Sequence, residues 1–407
     1  MHKLCVYIAR AMLSLVCLLF SLCPCLPLGR AMAVEVPFVP KQILIYGGNG
    51  FIGTSTAERL IEAGHNLTLI NRGNWYWDSG FTVTPFVKLI KCDRMQAIDK
   101  CTELNDYITN TEQIDAVIDF SAYHSQSLVD TLDLVKGKVK LYIFISTDSV
   151  YDVCHKNHTE PSLETDSVRP ISAEVREKLE AKESYGHRKL LCEETLATYR
   201  QEKNGPPYVI LRLPDVVGPR DNTYRWWIYQ LWMKLRPYLE KDVVIPSHLE
   251  KRPMSLVYVN DVADLIRNIV HGLFPAATDQ IFNLAQKELI TLKDFLEDMK
   301  KELNLTDVNI AVNNKPDTIR LFPSVHVGPV DTTKAEKILR WSPTKWETVL
   351  RLTCDYYEKA IKIVYFDRVR NDMIRTMQTY FTSKPYDVIR GLKAVYGLQY
   401  PEQRDEL

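Results

Sequence analysis

The chain has 407 residues, of which 46% are hydrophobic and 25% are charged. This composition excludes a disordered chain and is typical of one large or two modest globular domains with a sizeable core. Basic and acidic residues balance at 51 each, which excludes the strongly basic surface of a typical nucleic-acid-binding protein.

The first 33 residues are typical of a secretory signal peptide. Lys3 and Arg10 precede an apolar run over residues 11–26, and Ala31-Met32-Ala33 forms a small-x-small cleavage pattern. The alternative is a membrane anchor, but the run is shorter than the roughly 20 residues that a spanning helix needs and contains Pro24. We therefore expect residues 1–33 to be removed, leaving a mature chain without a membrane span.

A strand, a glycine-rich turn and a helix are predicted next. Residues 42–46 form a strand-like run, Gly47-Gly48-Asn49-Gly50-Phe51-Ile52-Gly53 follows, and a helical pattern extends from Ser55 to Ala63. Such a turn lets the backbone approach a pyrophosphate, and the helix N-terminus directs unpaired N–H groups at that charge. Because glycines also mark ordinary turns, the motif alone leaves both interpretations open. The residues predicted to bind a dinucleotide here are Gly47, Gly50, Phe51, Ile52 and Gly53.

The end of the second predicted strand bears on the choice of cofactor. NAD-binding proteins place an acid there to hydrogen-bond the adenosine ribose, whereas this chain has Asn71 followed by Arg72. The missing acid removes repulsion against a 2′-phosphate, and a guanidinium can pair with that phosphate. The pattern favours NADP over NAD, the alternative being that Arg72 is a solvated loop residue.

Two aromatic clusters are candidates for a substrate cleft. Trp75 and Trp77 lie in a polar loop just after the second strand and are predicted to contact the substrate. The second cluster follows Asp221, and for its Trp227 and Trp232 we favour packing between two lobes.

Short apolar runs alternate with helical patterns along the chain. Strands of this kind, apolar along their whole length, indicate a parallel sheet covered on both faces. The predicted fold is therefore α/β, a Rossmann-type doubly wound parallel sheet. The predicted strands are 43–46, 67–70, 87–90, 116–120, 141–146 and 208–211.

A candidate proton-transfer pair follows the fifth strand. Tyr185 and Lys189 lie within a helical pattern from Ala173 to Tyr199, and residues four apart share one helix face. A free tyrosine has a pKa near ~10, but a neighbouring ammonium favours the phenolate. Tyr185 could then exchange a proton with a substrate hydroxyl or carbonyl while a nicotinamide exchanges hydride.

The cysteines and sequons bear on a secretory location. Once the leader is removed, five cysteines remain, so at most two disulfides form and one thiol is left over, with the pairing open. No cysteine or histidine group has metal-ligand spacing, so no metal is expected. Sequons begin at Asn66, Asn157 and Asn304, of which Asn157 is the best candidate for a glycan. The remaining cysteines are Cys92, Cys101, Cys154, Cys192 and Cys354.

The C-terminal region contains two further signals. Apolar residues recur at helical spacing from Trp346 to about Phe381, predicting a helical extension whose role as a lid, a dimer face or a partner site is open. The chain ends in Arg404-Asp405-Glu406-Leu407, a close variant of the signals read by the endoplasmic reticulum (ER) retrieval receptor. Together with a signal peptide, this predicts residence in the ER lumen, with a homodimer possible.

Taken together, these motifs resemble the extended short-chain dehydrogenase/reductase superfamily, to which the NAD-dependent epimerases and dehydratases belong. The resemblance extends from about Gln42 to Thr344 and includes Leu211-Arg212-Leu213-Pro214 and the segment 257–263. Within the superfamily, the chain looks most like an atypical subgroup that includes bacterial putative reductases and the chloroplast stem-loop-binding proteins.

The resemblance implies roles for individual residues. Thr147 would be the catalytic hydroxyl, Tyr185 the acid/base, and Lys189 would also hold the nicotinamide ribose. Asp93 would contact the adenine, and the cofactor would be lined by Phe120, Ser121, Ala122 and Pro214.

The loop after the fifth predicted strand distinguishes between the possible reactions. Sugar-nucleotide 4,6-dehydratases of the superfamily have a glutamate where this chain has Ser149, so the elimination step lacks its base. Asp148 remains as a possible acid or as a cap of its loop. We therefore expect a polar small molecule, such as a sugar or nucleotide sugar, to be oxidised or reduced. The alternatives are a sugar-nucleotide epimerase and a catalytically silent cofactor-binding scaffold.

The domain boundaries complete the prediction. The dinucleotide-binding domain covers residues 41–215, with 255–286 returning to it. A smaller substrate-binding lobe covers 216–254 and 287–345, and the extension covers 346–403.

Overall fold

The structure is a computed structural model that describes residues 38–96, 98–156, 158–314, 319–326, 328–381 and 385–399. The predicted signal peptide, the sequon at Asn157 and the C-terminal tetrapeptide lie outside the described residues. From Pro40 onward the chain forms one compact unit. Of the unit Met1–Val39, only Phe38 and Val39 are described, and both are exposed.

Seven parallel strands form the central sheet, in the order β3-β2-β1-β4-β5-β6-β11. Because the chain moves outward from β1 to β3 and then returns to the other side of β1, the connections diverge between β1 and β4, where such sheets bind ligands. The doubly wound α/β prediction is confirmed. The strands are β1 (Gln42–Tyr46), β2 (Asn66–Asn71), β3 (Lys88–Lys91), β4 (Ala116–Asp119), β5 (Tyr142–Thr147), β6 (Tyr208–Leu213), β7 (Asp215–Val217), β8 (Val243–Pro246), β9 (Pro253–Met254), β10 (Leu256–Tyr258), β11 (Gln280–Asn283), β12 (Ile290–Thr291) and β13 (Ile310–Asn313).

The sheet is covered on both faces, which explains its apolar strands. In β1, Ile43 and Ile45 pack into the core on one face, whereas Leu44 and Tyr46 pack into the core on the other. All four side chains are almost completely buried. A strand with two buried faces has no polar positions to alternate with apolar ones.

Helices provide the covering layers and the C-terminal extension. They are α1 (Phe51–Glu62), α2 (Ser79–Thr82), α3 (Thr102–Asn110), α4 (Ser125–Leu134), α5 (Ala173–Lys182), α6 (Ser184–Glu202), α7 (Arg225–Leu239), α8 (Val259–Val270), α9 (Leu292–Glu302), α10 (Thr333–Leu339), α11 (Trp346–Ala360), α12 (Asp367–Tyr380) and α13 (Pro385–Tyr396). No helix in the described ranges is long and apolar enough to cross a membrane.

The predicted long helix from Ala173 to Tyr199 is instead two helices, α5 and α6. The break falls at Glu183, whose backbone leaves the helical region with φ −137° and ψ 70°. The Glu183 carboxylate accepts the backbone N–H of Gly186 at 3.0 Å, so it caps the start of α6. The sequence pattern concealed this break because no glycine or proline marks it. The helix after the glycine turn also differs from its prediction, since it begins at Phe51 rather than Ser55.

The extension packs against α7 through aromatic side chains. Trp227 of α7 stacks on Tyr357 of α11 at a ring distance of 5.3 Å, and Trp232 contacts Phe381 edge-to-face. Both tryptophans are buried, as the packing interpretation expected.

One disulfide, Cys92–Cys101, joins the end of β3 to the residue before α3. The other three cysteines among the described residues, Cys154, Cys192 and Cys354, are buried free thiols.

Candidate functional site

A cleft of about 970 Å³ opens over the carboxyl ends of the strands. It extends from Asp93, after β3, to Pro214, after β6, and therefore crosses the point where the connections diverge. A dinucleotide lies along such an edge in this type of sheet, with its diphosphate at the turn after β1.

The glycine turn has the shape that close approach to a diphosphate requires. Gly47 has φ +79°, a conformation that side-chain-bearing residues rarely adopt. A Cβ on Gly53 would lie 2.3 Å from the Gly47 carbonyl oxygen, so this position must lack a side chain. Gly50 precedes the first helical residue of α1 without a side-chain cap, and the helix N-terminus faces the cleft lined by Phe51 and Ile52. These features fit an anion held by backbone N–H groups.

The predicted adenosine contacts lie at the β2 and β3 end of the cleft. Asn71, Arg72 and Asp93 all line it. The Asn71 Oδ1 accepts the Gly73 N–H at 2.7 Å, whereas its buried Nδ2 has no hydrogen-bond partner. A buried donor without a partner is costly, and the site fits a cofactor whose ribose oxygens or 2′-phosphate would accept from it.

Sequence reasoning missed Arg94, which forms the floor of this end. Its Nη1 contacts both carboxylate oxygens of Asp119 at 2.7 Å, and the Tyr142 hydroxyl donates to the same carboxylate. Burial alone would raise the pKa of Asp119, but the Arg94 charge and these hydrogen bonds hold it below its ordinary value. The sequence did contain a signal for this ion pair, because Asp119 ends the otherwise apolar strand β4.

Most of the residues predicted to line the cofactor after β4 and β6 do line the cleft, but one does not. Phe120, Ser121 and Pro214 line the cleft, as does Tyr123, which the sequence reasoning did not select. Ala122 does not line the cleft but lies beneath it, because its side chain is fully buried.

Lys189 lines the floor of the cleft and is almost completely buried there. Its ammonium donates to the backbone carbonyls of Ala122, at 3.1 Å, and Ile145, at 2.5 Å. Burial lowers the pKa of Lys189 to about 8, so the amine is mostly charged at neutral pH. Phe144 adds to this environment with its ring centroid 4.0 Å from Nζ.

Tyr185 and Thr147 meet above Lys189. A Cβ on Gly186 would lie 2.1 Å from the Ser149 carbonyl oxygen, so glycine lets α6 approach the loop after β5. Burial raises the pKa of Tyr185 above its ordinary value, the neighbouring Tyr123 and Asp148 add to the rise, and a hydrogen bond with Thr147 opposes it. The Lys189 ammonium is directed at backbone carbonyls, and no contact joins it to the phenol among the described hydrogen bonds, so the activation of Tyr185 by Lys189 stays a prediction.

Asp148 and Ser149 complete the strand-end loop. The Thr147 hydroxyl lies 3.3 Å from the Ser149 hydroxyl and 3.4 Å from one Asp148 oxygen. The other Asp148 oxygen is buried without a partner. Burial, reinforced by the charges of Asp215 and Asp152, raises the pKa of Asp148, which faces the cleft, well above its usual range.

The two tryptophans predicted to contact substrate do not line the cleft. Trp77 is buried against Trp227, Tyr357 and Phe366, and Trp75 packs against the main core. Tyr76, between them, faces the cleft instead. The aromatic triplet alternates its side chains, and only the tertiary structure shows that the extension covers Trp77.

The substrate end of the cleft contains residues that sequence reasoning missed. Asp215 accepts the Ser324 N–H at 2.7 Å and hydroxyl at 2.6 Å, and it forms a short ion pair with Arg225. Tyr380, the last residue of α12, also lines the cleft, so the extension forms part of its wall. In addition, the Tyr357 hydroxyl donates to the Gly218 carbonyl at 2.9 Å and thereby holds the loop before Asp221.

Among the residues that the structure describes, no group of three histidine, cysteine, aspartate or glutamate side chains could hold a metal ion. The groups that line the cleft near its centre include the Tyr185 phenol, the hydroxyls of Thr147 and Ser149, the Lys189 ammonium and the Asp148 carboxyl.

Fold and site together define a dinucleotide-binding enzyme of the extended short-chain dehydrogenase/reductase type. Residues 43–285 match the model of the NAD dependent epimerase/dehydratase family. The chain belongs to this family.

Two relatives and two solved structures illustrate the similarity. The chain is 25% identical over 350 residues to the trifunctional UDP-glucose 4,6-dehydratase/UDP-4-keto-6-deoxy-D-glucose 3,5-epimerase/UDP-4-keto-L-rhamnose-reductase RHM1 of Arabidopsis thaliana, covering 79% of this chain and 47% of the relative. It thus spans about half the length of that relative. It is 23% identical over 336 residues to the chloroplast stem-loop binding protein of 41 kDa b of the same plant, covering 78% of each chain.

The solved structures show the same fold at low identity. UDP-glucose 4-epimerase of Thermotoga maritima has a TM-score of 0.61 and 22% identity, covering 79% of this chain and all of that one. The dTDP-glucose 4,6-dehydratase of Bacillus anthracis, solved with NAD, has a TM-score of 0.59 and 17% identity, covering 78% and 97%.

Proposed function

We propose that the chain is an NAD(P)-dependent oxidoreductase that reduces or oxidises one carbon of a sugar nucleotide or a related polar sugar, with Tyr185 as the acid/base. The observation that carries this proposal is that Thr147, Tyr185 and Lys189 meet at one cleft with the glycine turn. The sugar-nucleotide substrate is supported by the names of the relatives, which act on UDP- and dTDP-linked sugars.

The cofactor would supply or accept hydride when bound, and the glycine turn, Asn71 and Lys189 would hold it. Thr147 and Tyr185 would then bind the substrate oxygen through their hydroxyls. Because the phenol is protonated, it is poised to donate a proton to the oxygen of a carbonyl under reduction. Reduction is therefore the favoured direction.

The test of this function is turnover of the mature chain with NADPH or NADH and a panel of UDP- and dTDP-linked keto and hydroxy sugars. A reductase changes the 340 nm absorbance in proportion to product. If the chain binds a cofactor but turns over no combination of cofactor and sugar substrate, the proposal is contradicted.

An epimerase is the second candidate, because the solved structures with this fold include UDP-glucose 4-epimerases. An epimerase returns the hydride to the substrate, so its isomeric product forms without net change in absorbance. Ser149 argues against a dehydratase, since a hydroxyl cannot replace a carboxylate base in elimination.

We propose NADP as the preferred cofactor, since Arg72 is an exposed cation at the cleft edge beside the orphaned Asn71 amide. Arg72→Ala should weaken NADPH binding by about tenfold, the effect of one charge-assisted hydrogen bond, and leave NADH binding unchanged. Titration of both dinucleotides measures this. If the affinities for NADPH and NADH fell in parallel, or if the affinity for NADPH did not change, Arg72 would not determine the preference for NADP.

We propose that the protein resides in the ER lumen. Support comes from the leader at residues 1–33, the C-terminal tetrapeptide and a disulfide, which persists in an oxidising compartment. Deleting residues 404–407 should release the protein into the medium of expressing cells. Adding residues after Leu407 should have the same effect, because it blocks the terminal signal. Retention of both variants inside the cell would contradict receptor-mediated retrieval.

A further inference from the structure

The disulfide lies at the adenosine end of the cofactor cleft. Cys92 directly follows β3 and lines the cleft, and its N–H donates to the Asn71 carbonyl at 3.0 Å. Cys101, nine residues later, immediately precedes α3. The bond therefore ties the edge of the cleft to a helix outside it.

The loop that this bond closes supplies three consecutive residues to the cleft, Asp93, Arg94 and Met95. Arg94 is anchored by Asp119 and also donates to Thr131 at 3.1 Å. The Asp93 carboxylate accepts the Met95 N–H at 3.1 Å, so these two residues are fixed mainly to each other. The disulfide is the covalent restraint on the part of the loop that Arg94 does not anchor.

We propose that Cys92 and Cys101 are positioning residues for the adenosine half of the cofactor, and that reduction of their disulfide weakens cofactor binding. The inference rests on the proposed use of a nicotinamide dinucleotide. A cofactor that binds to a loop already held in place loses less free energy to ordering that loop than one that binds to a mobile loop. Cleavage of the bond lets the sulfurs separate and frees the stretch around Asp93.

The chemistry is a dithiol–disulfide exchange. A small dithiol attacks one sulfur, and a second attack completes its own cyclic disulfide. The S–S bond of the protein breaks, and two electrons and two protons from the dithiol yield the thiols of Cys92 and Cys101. Both cysteines are largely buried, and Cys92 is reached from the cleft. If the disulfide strengthens dinucleotide binding, a bound dinucleotide must shift the dithiol–disulfide equilibrium toward the disulfide by the same factor.

The experiment compares NADPH titrations of the oxidised chain, the chain treated with dithiothreitol, and the Cys92→Ser/Cys101→Ser variant. We expect the dissociation constant to rise about tenfold in the last two, within the usual range of coupling between sites. Dithiothreitol should have no further effect on the double variant. Cys354→Ser, at a buried thiol in α11, is the matched control and should bind as the wild type does.

Two further readouts separate positioning from a general loss of structure. Affinity for ADP should fall with that for NADPH, whereas affinity for nicotinamide mononucleotide should not change. NADPH should shift the dithiothreitol reduction equilibrium by the same factor of about ten. The inference would be overturned if the oxidised and reduced chains bound NADPH equally well. It would also be overturned if the affinities for ADP and for nicotinamide mononucleotide fell in parallel. Failure of the cofactor proposal itself is distinguishable, because then the oxidised chain would bind neither NADPH nor NADH.

Discussion

Tyr185→Phe is expected to lower turnover by roughly 10²–10⁴-fold, the usual contribution of a positioned acid/base, and to leave NADPH affinity unchanged. The variant removes only a hydroxyl. The ring stays at the cleft mouth near Tyr123, at a centroid distance of 6.1 Å, so the shape of the site is conserved. The measurement is the initial rate with the best substrate of the sugar-nucleotide panel, beside an NADPH titration.

The matched control is Tyr386→Phe, which removes a hydroxyl from an exposed tyrosine of α13. It should retain wild-type turnover. If Tyr185→Phe kept more than about a tenth of the activity, the assignment of the phenol as proton donor would be wrong. In that case Asp148, whose carboxyl faces the same cleft and has a raised pKa, would be the next acid to replace.

Gly50→Asp is expected to abolish cofactor binding without unfolding the chain. Gly50 has φ −85° and ψ −175°, an ordinary extended conformation, and an added Cβ would meet only the Gly47 carbonyl oxygen at 3.6 Å. An aspartate here would cap α1 and satisfy the N–H groups that a diphosphate needs. Its charge would also repel the diphosphate by roughly 4 kcal/mol at 4 Å, a loss of about 10²–10³-fold in affinity.

Gly50→Asn isolates the charge, because asparagine has the same shape and also caps helices. It should bind NADPH more weakly than the wild type but more strongly than Gly50→Asp. Thermal unfolding without cofactor should be equal or higher in both variants. Unchanged NADPH affinity in Gly50→Asp would show that the diphosphate lies elsewhere. Gly53 is unsuitable for this test, since its Cβ would collide with backbone.

Several features were predictable because they depend on local chemistry. The buried strands on both faces of the sheet required apolar runs, and their lengths identified β1 to β6 closely. The glycine turn was recognisable because side-chain-bearing residues rarely adopt the conformation of Gly47 and because a Cβ at Gly53 would collide with backbone. Helical spacing placed Tyr185 and Lys189 in one helix and predicted the helices after Trp346.

Other features were decided by contacts between distant segments. In the sequence, the polar loop around Trp77 resembles a ligand-binding surface. In the structure, the extension, almost 300 residues later in the chain, covers Trp77. Similarly, Tyr380 gains a place in the cleft only because α12 folds back beside the substrate end.

The sequence by itself determined the doubly wound sheet, the glycine turn and the spacing of Tyr185 and Lys189 within one helix, because these follow from backbone conformation and residue spacing within short segments. Only the tertiary structure decided the pairing of Cys92 with Cys101 and the surroundings that shift the pKa values at the site. The reason is that desolvation depends on every group packed around an atom. Burial raises the pKa of Tyr185 and of Asp148, while backbone carbonyls accept hydrogen bonds from the Lys189 ammonium that was expected to favour the Tyr185 phenolate.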